Sequence, residues 1–137
     1  MTDLVSDASV TLSSCFPDEW SPPSLKVLDR LKSGAKALVP DFWSLEVLNT
    51  LLLGERKGRR AFEQAKVFID TLRVLSPRLD NASFEQVAGP VQLICRERHL
   101  TPYDALYVEL ALRSGCALAT LDQPQKDAAR ALGVHCL

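Results

Sequence analysis

The stretch that decides how this sequence folds is Leu100-Thr101-Pro102-Tyr103-Asp104-Ala105-Leu106-Tyr107. It is typical of a helix start, because Thr101 is a favourable N-cap and Pro102 suits the first helical position. Asp104 lies three residues after the cap and forms a capping box, with Asp in place of the usual Glu or Gln. Two interpretations of Asp104 are open. It caps the helix, or it is one of several carboxylates that meet around a metal ion.

The composition is that of an ordinary globular protein. The chain has 137 residues, of which 47% are hydrophobic and 24% charged, and its formal net charge is −1. This length suffices for one core, and no apolar run approaches the roughly 20 residues of a membrane span. The N-terminus lacks the basic start of a signal peptide, so we expect a cytoplasmic protein with no membrane contact. A general nucleic-acid-binding surface is usually more basic, so any such contact must be local or mediated by a metal.

The metal-ligand chemistry of the chain favours oxygen over sulfur or nitrogen. Its four cysteines are scattered, with no C-x-x-C pair and no histidine at ligand spacing, so we do not expect a zinc site. Nothing in their spacing calls for a disulfide. The two histidines, His99 and His135, are too few and too far apart for a zinc or iron site.

Short apolar segments alternate with helical patterns along the chain. We expect strands over 3–6, 35–39, 116–120 and 134–136, with a short edge strand inside 76–80. We expect helices over 10–15, 24–32, 42–56, 60–75, 102–114 and 123–132. A further helix is expected to run to about residue 98, with Asn81 or Ser83 as its cap and a kink or break at Gly89-Pro90. Such alternation predicts a parallel sheet covered by helices on both faces.

Several details of these helices can be predicted as well. Ser9 is expected to cap the first helix. In the helix over 42–56, apolar residues recur at helical spacing as Phe42, Leu45, Leu48 and Leu52. The helix over 60–75 is expected to face the core with Phe62, Ala65, Phe68, Ile69 and Leu72.

Four carboxylates from distant segments are predicted to meet at one edge of the sheet. Asp7 ends the first strand, and Asp122 follows the strand over 116–120. Asp104 begins the helix that leads into that strand, and Glu46 lies in the first turn of the helix that leaves the second strand. The carboxyl ends of parallel strands and the first turns of their crossover helices share one edge, where such sheets bind ligands. Each acid taken alone could be a cap or a solvated side chain.

Taken together, the four acids indicate a divalent cation. Carboxylates that share a cleft repel each other and raise each other's pKa unless a cation is bound. Oxygen ligands alone select Mg²⁺ or Mn²⁺, which commonly bridges to a phosphate group and activates water. The pattern therefore predicts metal-dependent hydrolysis of a phosphodiester.

Four segments of the chain resemble, in order and spacing, the motifs of PIN-domain proteins of the VapC type, the toxin ribonucleases of prokaryotic toxin–antitoxin pairs. The segments are Leu4-Val5-Ser6-Asp7-Ala8-Ser9-Val10, Val39-Pro40-Asp41-Phe42-Trp43-Ser44-Leu45-Glu46-Val47-Leu48-Asn49, the opening stretch Leu100–Tyr107, and Leu118-Ala119-Thr120-Leu121-Asp122. The resemblance implies that residues 1–137 form a single PIN domain. It also implies a three-layer α/β/α sandwich with a short, mostly parallel sheet of four to five strands.

The resemblance implies an endoribonuclease that depends on Mg²⁺ or Mn²⁺. Asp7, Asp104 and Asp122 would be direct or water-mediated metal ligands, and Glu46 would complete the site by holding a second metal or positioning water. The polar supports would be Ser9, Asn49 and Thr120. One departure is Gln123-Pro124-Gln125, which stands where such proteins carry a more basic segment. It puts substrate contacts at that place in doubt, and the metal site is unaffected.

The partners implied by the resemblance are an RNA substrate such as tRNA or rRNA, a small cognate antitoxin and a second copy of the chain. Arg96 and Arg98, beside His99, are the preferred residues for RNA phosphate contact. A second basic group, 56–60, could equally be a solvated surface. Phe16, Trp20 and Trp43 are candidates for the antitoxin groove, with core packing as the alternative.

Three other functions remain open at this level. A PIN nuclease that acts in RNA processing or on structured DNA would carry the same four acids. A catalytically silent PIN module would bind a partner without metal. A phosphatase with an Asp nucleophile is disfavoured, because Asp7-Ala8-Ser9 lacks the second Asp two residues on.

Overall fold

The computed structural model describes residues 3–58 and 61–137. The strands are β1 (Leu4–Ser6), β2 (Ala37–Pro40), β3 (Arg78–Asp80) and β4 (Ala117–Ala119). The helices are α1 (Ala8–Cys15), α2 (Pro22–Lys32), α3 (Trp43–Arg56), α4 (Phe62–Leu75), α5 (Phe84–Gln86), α6 (Gln92–Arg98), α7 (Pro102–Ser114) and α8 (Gln123–Ala131). A 3₁₀ turn at Pro17–Glu19 precedes α2, and a π-helical turn at Val87–Val91 joins α5 to α6.

The sheet has the strand order β3-β2-β1-β4, and all of its pairs are parallel. Leu4 of β1 pairs with Ala37 of β2 on one side and Ala117 of β4 on the other. The expected mostly parallel sheet is therefore confirmed. We call the edge at which these strands end the carboxyl rim.

Both faces of the sheet are covered by helices. Along β1, Val5 packs into the larger core cluster, whereas its neighbour Leu4 packs into a smaller one with Val27 of α2. Successive strand residues point to opposite faces, so β1 is buried on both sides. The larger cluster includes a nearly continuous buried run of α7, from Ala105 to Ala111. The predicted α/β/α layering is thus confirmed.

The buried face of α3 differs from the apolar spacing in the sequence. The helix buries Trp43, Val47 and Leu51, while Leu45 is 71% exposed and Leu48 is also exposed. The spacing identified the helix, but the helix has two apolar sides and only the one with Trp43, Val47 and Leu51 packs into the core.

The inward face of α4 was predicted correctly except at its first residue. Ala65 and Phe68 are buried, but Phe62 is 71% exposed, so its predicted core position is wrong. Phe62 opens the helix directly after its cap at Ala61, where the helix has not yet reached the core.

Of the kink or break predicted at Gly89-Pro90, the break does not occur, and a π-helical turn at Val87–Val91 interrupts the α-helix instead. The chain stays helical from Phe84 to Arg98, with Ser83 as N-cap, and a π-helical turn accommodates the proline. Wider i→i+5 bonding leaves room for a residue that lacks an N–H donor.

Most other differences concern element ends. The first helix is capped by Asp7 rather than Ser9, and α2 begins at Pro22 with Ser21 as its cap. The predicted last strand is reduced to a parallel bridge between Cys136 and Leu118. The predicted edge strand within 76–80 is present as β3. Among the described residues, no helix is long and apolar enough to cross a membrane.

Candidate active site

Asp7 lies at the carboxyl rim because it directly follows β1. Its N–H donates to the Ala119 carbonyl at 3.1 Å, which continues the pairing with β4. Its Oδ1 accepts from the Val10 N–H at 3.0 Å and from the Ser9 hydroxyl at 2.8 Å. Its Oδ2 accepts from the Thr120 hydroxyl at 2.5 Å. Asp7 thus caps α1 and presents its carboxylate at the rim at the same time.

Thr120 joins two of the predicted site segments. It is fully buried, and its hydroxyl both donates to Asp7 and accepts the N–H of Asp122 at 3.1 Å. Asp122 stands at the N-cap position of α8, but its side chain makes no capping hydrogen bond. The capping interpretation of Asp122 is therefore wrong, and its carboxylate is available to a ligand.

Thr120→Val should destabilise the fold because it removes both hydrogen bonds while keeping the shape of the side chain. Two buried polar groups, Asp7 Oδ2 and the Asp122 N–H, lose their partner, and we expect a loss of about 1–3 kcal/mol in the free energy of unfolding. Urea denaturation measures it. Thr120→Ser retains the hydroxyl and serves as the control. A Thr120→Val protein that is as stable as the wild type, or no less stable than Thr120→Ser, would show that the two hydrogen bonds of the hydroxyl contribute little.

Asp104 lies in the first turn of α7, where Thr101 caps the helix by accepting the Asp104 N–H at 3.3 Å. Among the described residues, the second bond of the predicted capping box, from the Thr101 N–H to the Asp104 side chain, is not formed. The Asp104 backbone carbonyl accepts the Nε2–H of Gln125 at 3.0 Å. Gln125 is buried in the first turn of α8, so it holds the segment of Asp104 against that of Asp122.

Glu46 lies in the first turn of α3, half-buried, and its Oε1 accepts the hydroxyl hydrogen of Tyr107 at 2.5 Å. Tyr107 is on α7, so this bond joins the helix of Glu46 to the helix of Asp104. Burial and the bond to Glu46 both raise the pKa of the Tyr107 phenol, which therefore stays protonated and acts as a donor.

The four predicted acids influence one another electrostatically. Burial raises the pKa of the Asp7 carboxyl above its ordinary value of 3.8, and the charge of Asp122 raises it further, against the hydrogen bonds that lower it. Burial raises the pKa of Glu46, as do the charges of Asp104 and Asp7. The pKa of Asp104 is raised by burial and then by Asp122 and Asp7. The structure thus brings all four acids to one electrostatic neighbourhood.

No cationic side chain neutralises this cluster in the part of the chain that the structure describes. The recorded ion pairs connect other acids: Arg113 with Asp80 and Glu109, Arg73 with Asp70, and Arg78 with Asp3. Half-buried carboxylates without a counter-ion are unfavourable in an empty site, because burial favours their neutral form.

A closed metal site is not formed by the side chains as they stand. Over residues 3–58 and 61–137, no three His, Cys, Asp or Glu side chains are grouped so that they could hold an ion. Both oxygens of Asp7 and one oxygen of Glu46 are occupied by hydrogen bonds. The chemistry of the donor set, oxygen throughout, fits Mg²⁺ or Mn²⁺, while closure around an ion requires the carboxylates to move together.

The remaining predicted residues lie outside this hydrogen-bonded cluster. Asn49 is exposed on α3, one turn after Glu46. Arg96 and Arg98 are exposed near the end of α6, which leads into α7, and Arg96 donates to Gln92 at 2.8 Å. In the other basic group, Arg56 and Lys57 are exposed, and positions 59 and 60 lie outside the described residues.

The predicted groove aromatics are mostly core residues. Phe16 and Trp43 are buried, and the Phe16 ring stacks on Phe68 with centroids 5.4 Å apart. Both residues pack in the larger core cluster, as the core-packing alternative expected, and both also line surface cavities, so their place in an antitoxin groove stays a prediction. Trp20 is 46% exposed, and its indole N–H donates to the Ser14 carbonyl at 3.0 Å.

Two residues of the site were not predicted from the sequence. Tyr107 stands three residues after Asp104, a spacing that places both on one face of α7 and could have drawn attention to it. Gln125 belongs to the segment whose lack of basic residues stood out, and the structure shows that it faces inward. The local sequence does not indicate that Gln125 binds the Asp104 carbonyl, because this contact depends on how the first turns of α7 and α8 pack together.

Comparison with known proteins identifies the family. No family model matches the chain. Ribonuclease VapC3 of Pyrobaculum aerophilum is 31% identical over 121 residues, which are 88% of this chain and 89% of that protein. The crystal structure of PAE2754 from Pyrobaculum aerophilum superposes with a TM-score of 0.70 over 96% of this chain and 86% of that one. The two sequences are 20% identical, so this likeness shows a shared fold.

The parallel sheet, its flanking helices and the acids at its carboxyl rim define a PIN-like α/β/α domain. Together with the identity to a relative over most of both chains, they show that this chain belongs to the VapC family of PIN-domain proteins. The resemblance found in the four sequence segments is thereby confirmed.

Proposed function

We propose that this chain is an endoribonuclease that hydrolyses RNA phosphodiester bonds with Mg²⁺ or Mn²⁺ and acts as the toxin of a type II toxin–antitoxin pair. The observation that carries the proposal is the group of four acids without a counter-ion at the carboxyl rim. The relative named a ribonuclease, which aligns with 88% of the chain, supports the same activity.

The four acids would have different roles, according to their positions in the fold. Asp7, Asp104 and Asp122 would hold the ion, since they come from the two adjacent strand ends and the helix start between them. The bound ion would stabilise charge on the phosphate and lower the pKa of an attacking water. Glu46, which is hydrogen-bonded to Tyr107, would complete the site by orienting that water or holding a second ion.

Contacts to the RNA backbone would come from Arg96 and Arg98. Both are exposed on α6, whose C-terminal end leads within four residues to the start of α7. Guanidinium groups at this position would meet phosphates that approach the acidic rim. They would position the strand without selecting a base. The RNA that is cleaved would be one such as tRNA or rRNA.

The partner proteins would use exposed apolar surface. Leu45 and Leu48 of α3 and Phe62 of α4 are large apolar side chains in contact with solvent. Leu45 and Leu48 are three residues apart and share one side of α3, and exposed apolar patches of this kind are typical of interaction sites. We assign such surface to a second copy of the chain and to the antitoxin.

The experiment that tests the activity is RNA cleavage by the purified chain with added Mg²⁺ or Mn²⁺ and, in parallel, with excess EDTA. We expect cleavage with either metal and none with EDTA, and restored cleavage when the metal is returned. Cleavage that proceeds unchanged in EDTA would overturn the metal-dependent mechanism. RNA that stays intact under all conditions would overturn the nuclease assignment.

A catalytically silent binding module is the second candidate, and one observation favours it. The acids do not close around an ion in the described residues. Calorimetric titration with Mn²⁺ separates the two candidates, because the nuclease must bind the ion and the silent module need not. Binding that disappears in Asp104→Asn would support the nuclease.

A further inference from the structure

Tyr107 is a buried side chain that binds the carboxylate of a candidate catalytic acid on another helix and has no assigned role. The residue is 1% exposed, and its hydroxyl donates to Glu46 Oε1 at 2.5 Å. The two residues are 61 positions apart, so the bond fixes α7 against α3. A hydrogen bond to a charged acceptor is among the stronger kinds, and burial of the donor restricts alternatives.

The Tyr107 ring is held by packing as well as by this bond. The rings of Tyr107 and Phe42 pack edge to face, with centroids 5.9 Å apart and an interplanar angle of 89°. Phe42 in turn accepts the Glu46 N–H at its backbone carbonyl, at 3.2 Å. The same turn of α3 therefore supplies the ring that holds Tyr107 and the acid that Tyr107 binds.

Tyr107 also shares a helix face with Asp104. Residues three apart on a helix are neighbours, so one face of α7 carries both the Asp104 carboxylate and the Tyr107 hydroxyl. The charge of Asp104 raises the pKa of Glu46, as is expected of two carboxylates at the same rim. One helix face thus supplies one acid and fixes the position of another.

We propose that Tyr107 is a positioning residue that holds Glu46 at the acidic rim, with Oε1 bound to its hydroxyl and Oε2 left for the cation or its water. This inference rests on the proposed function. Without the hydroxyl, Glu46 is free to turn away from the three aspartates, and the site loses its preorganised fourth carboxylate. Partners that orient metal-site residues in this way typically contribute 10–100-fold in metal affinity or activity.

The test is the affinity of the metal-free protein for Mn²⁺, measured by calorimetry on Tyr107→Phe. This variant keeps the ring and its packing on Phe42, and we expect about tenfold weaker binding. Tyr103→Phe is the matched control. Tyr103 is on the same helix and also packs on Phe42 edge-on, with centroids 5.3 Å apart, but it is 61% exposed. It should bind Mn²⁺ as the wild type does.

A double-mutant cycle shows whether Tyr107 acts through Glu46. In the Glu46→Gln background, Tyr107→Phe should change Mn²⁺ affinity by less than about twofold, since the group it positions is already altered. A full tenfold loss in that background, or wild-type affinity in Tyr107→Phe alone, would overturn the positioning role. Thermal unfolding of each variant establishes that it is folded, and a Tyr107→Phe protein that is unfolded would show a purely structural role.

The same titration separates this inference from the function beneath it. If the wild-type chain binds no Mn²⁺, the proposed metal-dependent activity fails, and the positioning role fails with it. If the wild type binds Mn²⁺ and cleaves RNA while Tyr107→Phe is unchanged, only the positioning role fails.

Discussion

Asp104→Asn is expected to remove RNA cleavage while leaving the fold intact. The backbone contacts that hold this position do not depend on the charge: Thr101 caps its N–H, and Gln125 binds its carbonyl. Only the carboxylate offered to the cation is lost. A bound metal ion stabilises the transition state of hydrolysis by several kcal/mol. We expect the variant to cleave at least about a hundredfold more slowly, which corresponds to roughly 3 kcal/mol in the activation free energy. Initial rates on a labelled RNA, at a Mn²⁺ concentration that saturates the wild type, measure it.

The control for a simple loss of charge is Asp70→Asn. Asp70 is an exposed acid on α4 whose recorded partner is Arg73, three residues away. Exposed pairs of this kind contribute little to stability, so the control should fold and cleave as the wild type does. Asp104→Asn that cleaves at the control rate would remove Asp104 from the site. Asp104→Asn that fails to fold would show that its carboxylate is structural.

The four acids could be predicted because each is tied to an element end that the sequence marks clearly. Strand ends are marked by a change from apolar residues to Asp7 or Asp122, and the start of α7 by Thr101-Pro102. In a parallel sheet, those ends must share one edge. The convergence of acids then follows from topology and needs no knowledge of side-chain packing.

The supporting contacts could not be predicted in the same way. The bonds from Tyr107 to Glu46 and from Gln125 to the Asp104 carbonyl depend on how two helices meet, and the sequence does not encode that angle locally. A buried polar side chain looks the same in sequence as an exposed one. Its role appears only when its partner is placed.

The apolar spacing of α3 predicted the helix but did not identify its buried face, for a related reason. The helix carries apolar residues on more than one side, and periodicity cannot say which side meets the sheet. Trp43 and Val47 face the core, while Leu45 and Leu48 face solvent. A monomeric core does not account for the second stripe, which is consistent with the partner surfaces proposed above.

Asp7→Asn should make the metal-free protein more stable near neutral pH, in contrast to its expected loss of activity. Burial is the largest influence on the Asp7 pKa and raises it, so the folded state favours the protonated form despite three hydrogen bonds to the carboxylate. Asn carries no charge, is a good N-cap and can still accept the Val10 N–H. We therefore expect the free energy of unfolding of the metal-free protein to rise in Asp7→Asn, because the variant no longer buries a charge.

The pH dependence of that gain follows from the direction of the pKa change. A carboxyl whose pKa is raised in the folded state gives its full stabilisation below the unfolded value, here the ordinary 3.8, and loses it as pH rises through the folded value. The wild type should therefore lose stability relative to Asp7→Asn as pH rises from about 4 toward 7. Urea denaturation of both proteins in EDTA, at several pH values, measures the gap. A gap that is constant with pH, or a less stable variant at pH 7, would mean that the hydrogen bonds to Asp7 outweigh its burial.

Bound metal should reverse this order of stability. An ion that binds only the folded state stabilises it by about 2.7 kcal/mol at a concentration of 100 times Kd. Wild type should gain this amount on addition of Mn²⁺ and Asp7→Asn should gain much less, so the more stable protein without metal becomes the less stable one with it. The carboxylate that destabilises the empty rim is then the group that binds the ion. An equal shift in both proteins would place Mn²⁺ away from Asp7.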